Sequence, residues 1–239
     1  MSEPKMLLVG SFILMCVGTA FGYIVTDSLA GRKLAQEFLI PCASFVLIIF
    51  FLQIWLFFMA RARLVYLLVF TSFFGLAMVW YLMCFAAPIF WLPEIGGTTK
   101  LVVFTVSAFL FVGNGFEGVH EFKRQWQKNE PDVMKHYDRS RCILDWHKVT
   151  KSLHLSISIY VPGMAKDITL LLSVPIFISM MLGFSFRKEY PIASIFAWGI
   201  PFIMISACLT QLVAIGIAQV FKVIEIEKEL GVKILPKSD

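Results

Sequence analysis

The chain has 239 residues, 59% of them hydrophobic and 15% charged, with a formal net charge of +5 at pH 7 and a mean hydropathy of +0.80. Soluble domains carry about 45–50% apolar and about 25% charged residues, so this apolar excess is more than one core of this size can hide, and a soluble globular protein is excluded. The 15% aromatic content excludes a disordered chain, and five cysteines in this length exclude a short secreted disulfide scaffold. The sequence therefore reads as an all-α, polytopic transmembrane helix bundle with short cytoplasmic helical extensions.

Crossing a hydrocarbon core about 30 Å thick takes about 20 apolar residues in helix, because backbone groups in lipid must bond within their own segment. That length predicts six spans: residues 6–25, 38–60, 64–88, 101–120, 168–186 and 192–220. The second closes at Arg61 and Arg63, and the third follows so tightly that the two must be antiparallel neighbours. A cleaved signal peptide is the alternative for the first span, with Lys5 before it and Gly18-Thr19-Ala20 as a small-residue cleavage site, but the run is longer than a usual signal core. The chain thus divides into four spans over 1–120, a cytoplasmic helical segment over 121–167, and two spans with a cytoplasmic helix over 168–239.

Positive charge is retained on the cytoplasmic side during insertion. With the amino terminus inside, 16 of the 21 lysines and arginines fall on one side and 5 on the other. Both termini and the long middle segment are therefore expected in the cytoplasm of a bacterial-type inner membrane, and the positive balance needs no nucleic acid to explain it. No CxxC pair or outside cysteine pair points to zinc or a disulfide.

The middle segment is too short for an independent core. Its first part continues the fourth span, Pro131 marks an expected break, and a second helix is expected over 132–150. Beyond it Leu153, Leu155, Ile157, Ile159 and Val161 alternate with His154, Ser156, Ser158 and Tyr160, the period of a strand. With no strand partner in view, this piece lies at the membrane interface, folds as a helix, or pairs with another chain. Near the end of the chain Gly231 is a natural helix stop and Pro236 prevents resumption.

Candidate functional residues are few. Gly113, Gly115 and Gly118 spell GxGxxG with Asp138 following, yet the preceding run is membrane-length and leaves no room for the sheet of a dinucleotide site, so the glycines read as close helix approach. Asn114, Glu117, His120, Glu121 and Arg124 fall on three- and four-residue steps and form a polar stripe running out of the bilayer. Glu117, His120 and Glu121 have the spacing of metal ligands, but helical carboxylate sites use two ExxH motifs where this chain has one, so neither metal nor cofactor is assigned. Gln53 and Gln211 are the deep polar residues suited to interhelical hydrogen bonds.

Gly18 and Gly22 in the first span, and Ser206, Thr210, Ala214 and Ala218 in the sixth, repeat at the small-residue spacing that lets helices approach, within one chain or in a homo-oligomer. Pro175 and Pro201 are expected to kink spans five and six. No HExxH, GxSxG, Walker or haem-attachment motif is present, which disfavours an enzyme. The expected role is an integral membrane interaction or accessory protein, with the bilayer around it and a protein partner at its cytoplasmic segment. A solute or ion permeation pathway is the alternative.

Overall fold

The computed structural model describes residues 3–60, 62–138, 142–161, 164 and 173–237. Helix dominates, in agreement with the all-α reading. The first hairpin is α1 (Glu3–Ala30) and α2 (Arg32–Met59), joined by Gly31 alone, whose φ of 84° lies in the left-handed region that glycine enters without steric cost. The expected loop over 26–37 is thus helical on both sides of one residue. Each helix has 28 residues, about 42 Å long, so its end projects beyond a core about 30 Å thick, carrying Asp27, Arg32, Lys33 and Glu37 with it.

The chain turns at residues 60–63 into α3 (Leu64–Ala86), antiparallel to α2 as the tight connection requires, and a short α4 (Pro88–Trp91) follows. α5 (Gly97–Met134) then runs 38 residues. It passes through Pro131, where a break was expected, and ends one turn later, so the loss of a single ladder hydrogen bond there weakens only the frayed last turn. The helix expected over 132–150 shrinks to α6 (Trp146–Ser152), preceded by the two-residue strands β1 (Tyr137–Asp138) and β2 (Ile143–Leu144). Asp145 caps α6 by accepting from the Lys148 N–H at 3.3 Å.

After the non-helical residues 155–161 come α7 (Ser173–Ser185) and the 40-residue α8 (Pro191–Leu230), ended by Gly231 in the left-handed conformation, and then β3 (Leu235–Pro236). β1 pairs antiparallel with β2, and β2 pairs parallel with β3.

Five of these helices, α1, α2, α3, α5 and α8, are long and apolar enough to cross a membrane. Six spans were expected. The fifth survives among the described residues only as α7, whose 13 residues reach about 20 Å, and 168–172 lie outside the described residues, as does Arg61. Pro175 lies in α7, three residues from the edge of the described stretch, so the described residues do not test the kink expected there. α8 continues through Pro201 as one helix.

Small residues set the seams. A Cβ on Gly18 would lie 2.8 Å from the Tyr81 backbone, and one on Gly22 would lie 3.0 Å from the Cys84 carbonyl, so α1 lies directly against α3. A Cβ on Gly216 would overlap the Ser72 side chain, which brings α3 against α8. On α8, Ser206, Ala214 and Ala218 are buried and Thr210 half-buried, all within this one chain. Outward, α2 presents Ile48, Phe51, Trp55 and Phe58 and α5 presents Phe104, Phe109 and Phe116, the continuous apolar exposure of a lipid-facing surface. Trp198 is buried at 4% exposure beside Ile195 and Phe202.

One end of the bundle gathers the start of α1, the α2–α3 turn, the ends of α5 and α8, and the carboxyl-terminal tail. There Leu64, Val65 and Leu68 of α3 pack with Phe122 and Trp126 of α5, Leu144, Val149 and Leu153 of the middle segment, and Ile234 of the tail. The middle segment is therefore part of the bundle's own core, which explains how so short a stretch is folded at all.

Candidate functional site

The polar residues of the bundle converge where α5 and α8 meet the extended segment. α5 and α8 run parallel and touch at Gly118, where a Cβ would stand 2.7 Å from the Gln211 carbonyl and 3.2 Å from the Ala214 Cβ. This contact gives Gly118 the helix-approach role expected of the GxGxxG string. Gly115, by contrast, has open space around it.

Gln211 stands at this contact and Asn114 one turn before Gly118, and they are 2% and 1% exposed. Gln211 Nε2 donates to the Ser158 carbonyl at 2.6 Å, and its Oε1 accepts from the Ser158 N–H at 3.4 Å. Asn114 repeats the arrangement two residues on: Nδ2 donates to the Tyr160 carbonyl at 2.9 Å, and Oδ1 accepts from the Tyr160 N–H at 3.2 Å. The two amides are joined by Gln211 Nε2 donating to Asn114 Oδ1 at 2.7 Å, and Asn114 Nδ2 also donates to Leu110 O at 2.8 Å.

A primary amide carries a donor and an acceptor side by side, as a peptide edge does. Each of these amides engages both polar groups of one residue, and successive same-edge residues of an extended chain are two apart. Asn114 and Gln211 therefore substitute for a neighbouring strand. Of the alternating segment 153–161, Leu153 closes α6 and His154 turns with a φ of 45°, while residues 155–161 are not helical and the Ser158 and Tyr160 backbone is paired by side chains of its own chain. The other edge, carrying the Ile157 and Ile159 N–H and carbonyl groups, makes no bond of this kind among the described residues.

The rest of the stripe does not join this site. Glu121, 3% exposed, accepts from Arg124, and from Gln125 Nε2 at 2.9 Å, within its own helix. Glu117 is half-buried and His120 is exposed, so the five residues separate into a buried clamp partner, a local ion pair, a half-buried carboxylate and a surface histidine. Among the described residues no three His, Cys, Asp or Glu side chains gather as a metal-holding group. Gln53, 1% exposed, is elsewhere: its Nε2 donates to Ser11 Oγ at 2.6 Å, and that hydroxyl lies 2.8 Å from Gln53 Oε1 in return, which ties α1 to α2.

A second polar knot, unforeseen from the sequence, holds the tail. Arg63 donates through Nε and Nη2 to the buried carboxylate of Glu227, which also accepts from the Ile234 N–H at 2.9 Å. Leu64 N–H donates to the Ile234 carbonyl at 2.9 Å, and Leu235 N–H to the Cys142 carbonyl at 2.9 Å. Farther along, Lys237 Nζ donates to Asp145 at 3.0 Å. That bond holds the Asp145 carboxyl below the usual carboxylate range, with partial burial pushing the other way and the Lys148 N–H assisting. The signal available in the sequence was the spacing Val223, Ile226, Glu227, which sets an acidic residue on the buried face of α8.

No family model matches this chain, and neither curated proteins nor solved structures give a match.

Proposed function

We propose that this chain is an integral membrane interaction or accessory protein that presents the basic end of its bundle to a protein partner. The observation that carries this reading is the pairing of the amides of Gln53, Asn114 and Gln211 with groups of their own chain. Gln53 is matched by Ser11, and Asn114 and Gln211 are matched by each other and by Ser158 and Tyr160. A permeation route needs polar groups turned toward a path, whereas these are used to fix the fold. What lies exposed at the basic end among the described residues is His147, Lys148 and Lys151 of α6, Ile157, and the tail at Val232, Lys233 and Leu235.

Sixteen of the 21 basic residues fall on the side that the charge rule assigns to the cytoplasm, which supports cytoplasmic termini in a bacterial-type inner membrane. A secretion or transport subunit and an immunity protein against a membrane-acting toxin both belong to this class. Extraction from the native membrane in mild detergent, followed by intact-complex mass, tests the proposal. A defined foreign partner at fixed stoichiometry is the expected result, and a chain found only alone or with copies of itself overturns it.

One observation favours the permeation alternative. Non-helical backbone near the bilayer, as in residues 154–161, is tolerated where it is buried or lines a water-filled cavity. Flux of a tracer through the purified protein that Glu117→Ala or Gln211→Ala abolishes without unfolding it would establish that reading.

A further inference from the structure

Past their contact at Gly118, α5 and α8 line a groove of about 570 Å³ at the basic end. Its walls begin as lipid-facing surface. The lining residues Ile217 and Phe221 on α8 are 47% and 67% exposed, and Phe116, just before the groove on α5, is 72% exposed, so the apolar band of both helices runs into it. Within one to two turns the character reverses: Val119 is followed by Lys123 and Gln127 on α5, and Phe221 by Lys222 and Glu225 on α8. Both helices thus pass from apolar to charged at the same level, where headgroups would meet a bilayer.

The rim is basic and structured. Lys222 Nζ sits 5.6 Å from the Trp126 ring centroid and pairs with Glu225 at 3.1 Å, so one lysine is held at the mouth by an aromatic face and a carboxylate. Lys123, on the facing wall, is exposed and has no partner among the described residues. Two lysines against one glutamate leave the mouth with one net positive charge, above a wall that only an apolar chain would wet.

We infer that this groove binds an anionic glycerophospholipid of the leaflet at the basic end. Its phosphate lies between Lys123 and Lys222, its headgroup hydroxyls face Glu225 and Gln127, and one acyl chain runs along Val119 and Phe221 toward the bilayer centre. Charge complementarity and continuity with the lipid-facing surface select this occupant. A partner helix would need the basic mouth neutralised, and a free phosphate would leave the apolar wall bare. The site requires the apolar helices to lie in a bilayer but does not depend on the proposed partner role, so either can fail alone.

The test reconstitutes the purified full chain into vesicles of phosphatidylcholine with equal minor fractions of phosphatidylglycerol and phosphatidylethanolamine, re-extracts it, and counts retained lipids by native mass spectrometry. Phosphatidylglycerol should be retained over the other two by about fivefold to tenfold, as one net charge near an anionic headgroup implies. Lys123→Gln with Lys222→Gln should bring the three lipids level, and Lys33→Gln at the other end should change nothing. Excess inorganic phosphate should not displace the bound lipid. Equal retention in the wild-type protein, unchanged preference in a folded double variant, or displacement by phosphate alone overturns the assignment. If the double variant does not fold, the wild-type ratio decides by itself.

Discussion

Gln211→Met is the most informative single change, because it keeps the volume nearly unchanged and removes both donated hydrogen bonds without placing a carboxyl in the bundle. In the native structure those bonds run to the Ser158 carbonyl at 2.6 Å and to Asn114 Oδ1 at 2.7 Å, and both are short. A net hydrogen bond is worth about 1 kcal/mol in water-soluble proteins and about 0.6 kcal/mol between membrane helices. Two bonds at that scale, with a buried acceptor left unmatched, give a loss of about 2 kcal/mol for the segment the clamp holds. Hydrogen–deuterium exchange resolved to single amides reads this directly. In the wild-type protein the Ser158 and Tyr160 amides should be protected and those of Ile157 and Ile159 should not, an alternation that a helix cannot produce. In the variant the Ser158 amide should exchange about thirtyfold faster, the equivalent of about 2 kcal/mol of local opening. Uniform protection across 157–160, or an unchanged Ser158 amide in Gln211→Met, would refute the pairing of amide side chains with an extended edge.

Other consequences follow from the same contacts. Gly118→Ala should destabilise by about 1–3 kcal/mol through overlap with the Gln211 backbone, whereas Gly115→Ala, with open space around it, should stabilise by about 0.5–1 kcal/mol through helix propensity; melting in detergent measures both. Glu227→Ala leaves Arg63 and the Ile234 N–H without their carboxylate and should cost about 2–4 kcal/mol, with limited proteolysis then cutting the tail after Gly231. The depressed Asp145 carboxyl stabilises attachment of the tail fully above the ordinary aspartate value of about 3.9, and that contribution is lost as pH falls through its lower folded value. Carboxypeptidase access should therefore rise on acidification, and Lys237→Ala should remove that step. Cysteines substituted near Gly97 and Lys188 should be labelled from outside intact cells, and those near Asn129 and Lys237 should not; labelling at Asn129 would overturn the orientation.

The fold was legible wherever length and hydropathy decide it. Five membrane-length helices, the tight α2–α3 turn and the stop at Gly231 follow from apolar runs, from arginines at a span's edge and from a residue that tolerates positive φ. The single-residue turn at Gly31 was not legible, because a charge cluster such as Arg32-Lys33 marks the end of the hydrocarbon and not the end of the helix. Nor was the continuation of α5 through Pro131, since a proline close to a terminus removes little. The site was half legible. Asn114 and Gln211 stood out as polar residues in apolar helices, and 153–161 as a strand pattern without a strand partner, but they lie 46 and 53 residues from the backbone groups they hold, and nothing in one sequence joins them. The stripe from Asn114 to Arg124 dissolved because helical spacing sets residues on a face without fixing what that face meets. Arg63 and Glu227 are 164 residues apart and became partners only through the packing of α3 on α8.

The central claim is that the buried amides close the bundle on itself and leave its basic end as the working surface. Tracer flux in liposomes holding the purified protein, run with wild-type chain and Gln211→Ala side by side, tests it most directly. Flux no greater than in empty liposomes for both is the predicted result. Wild-type flux that Gln211→Ala abolishes while the protein stays folded would contradict it.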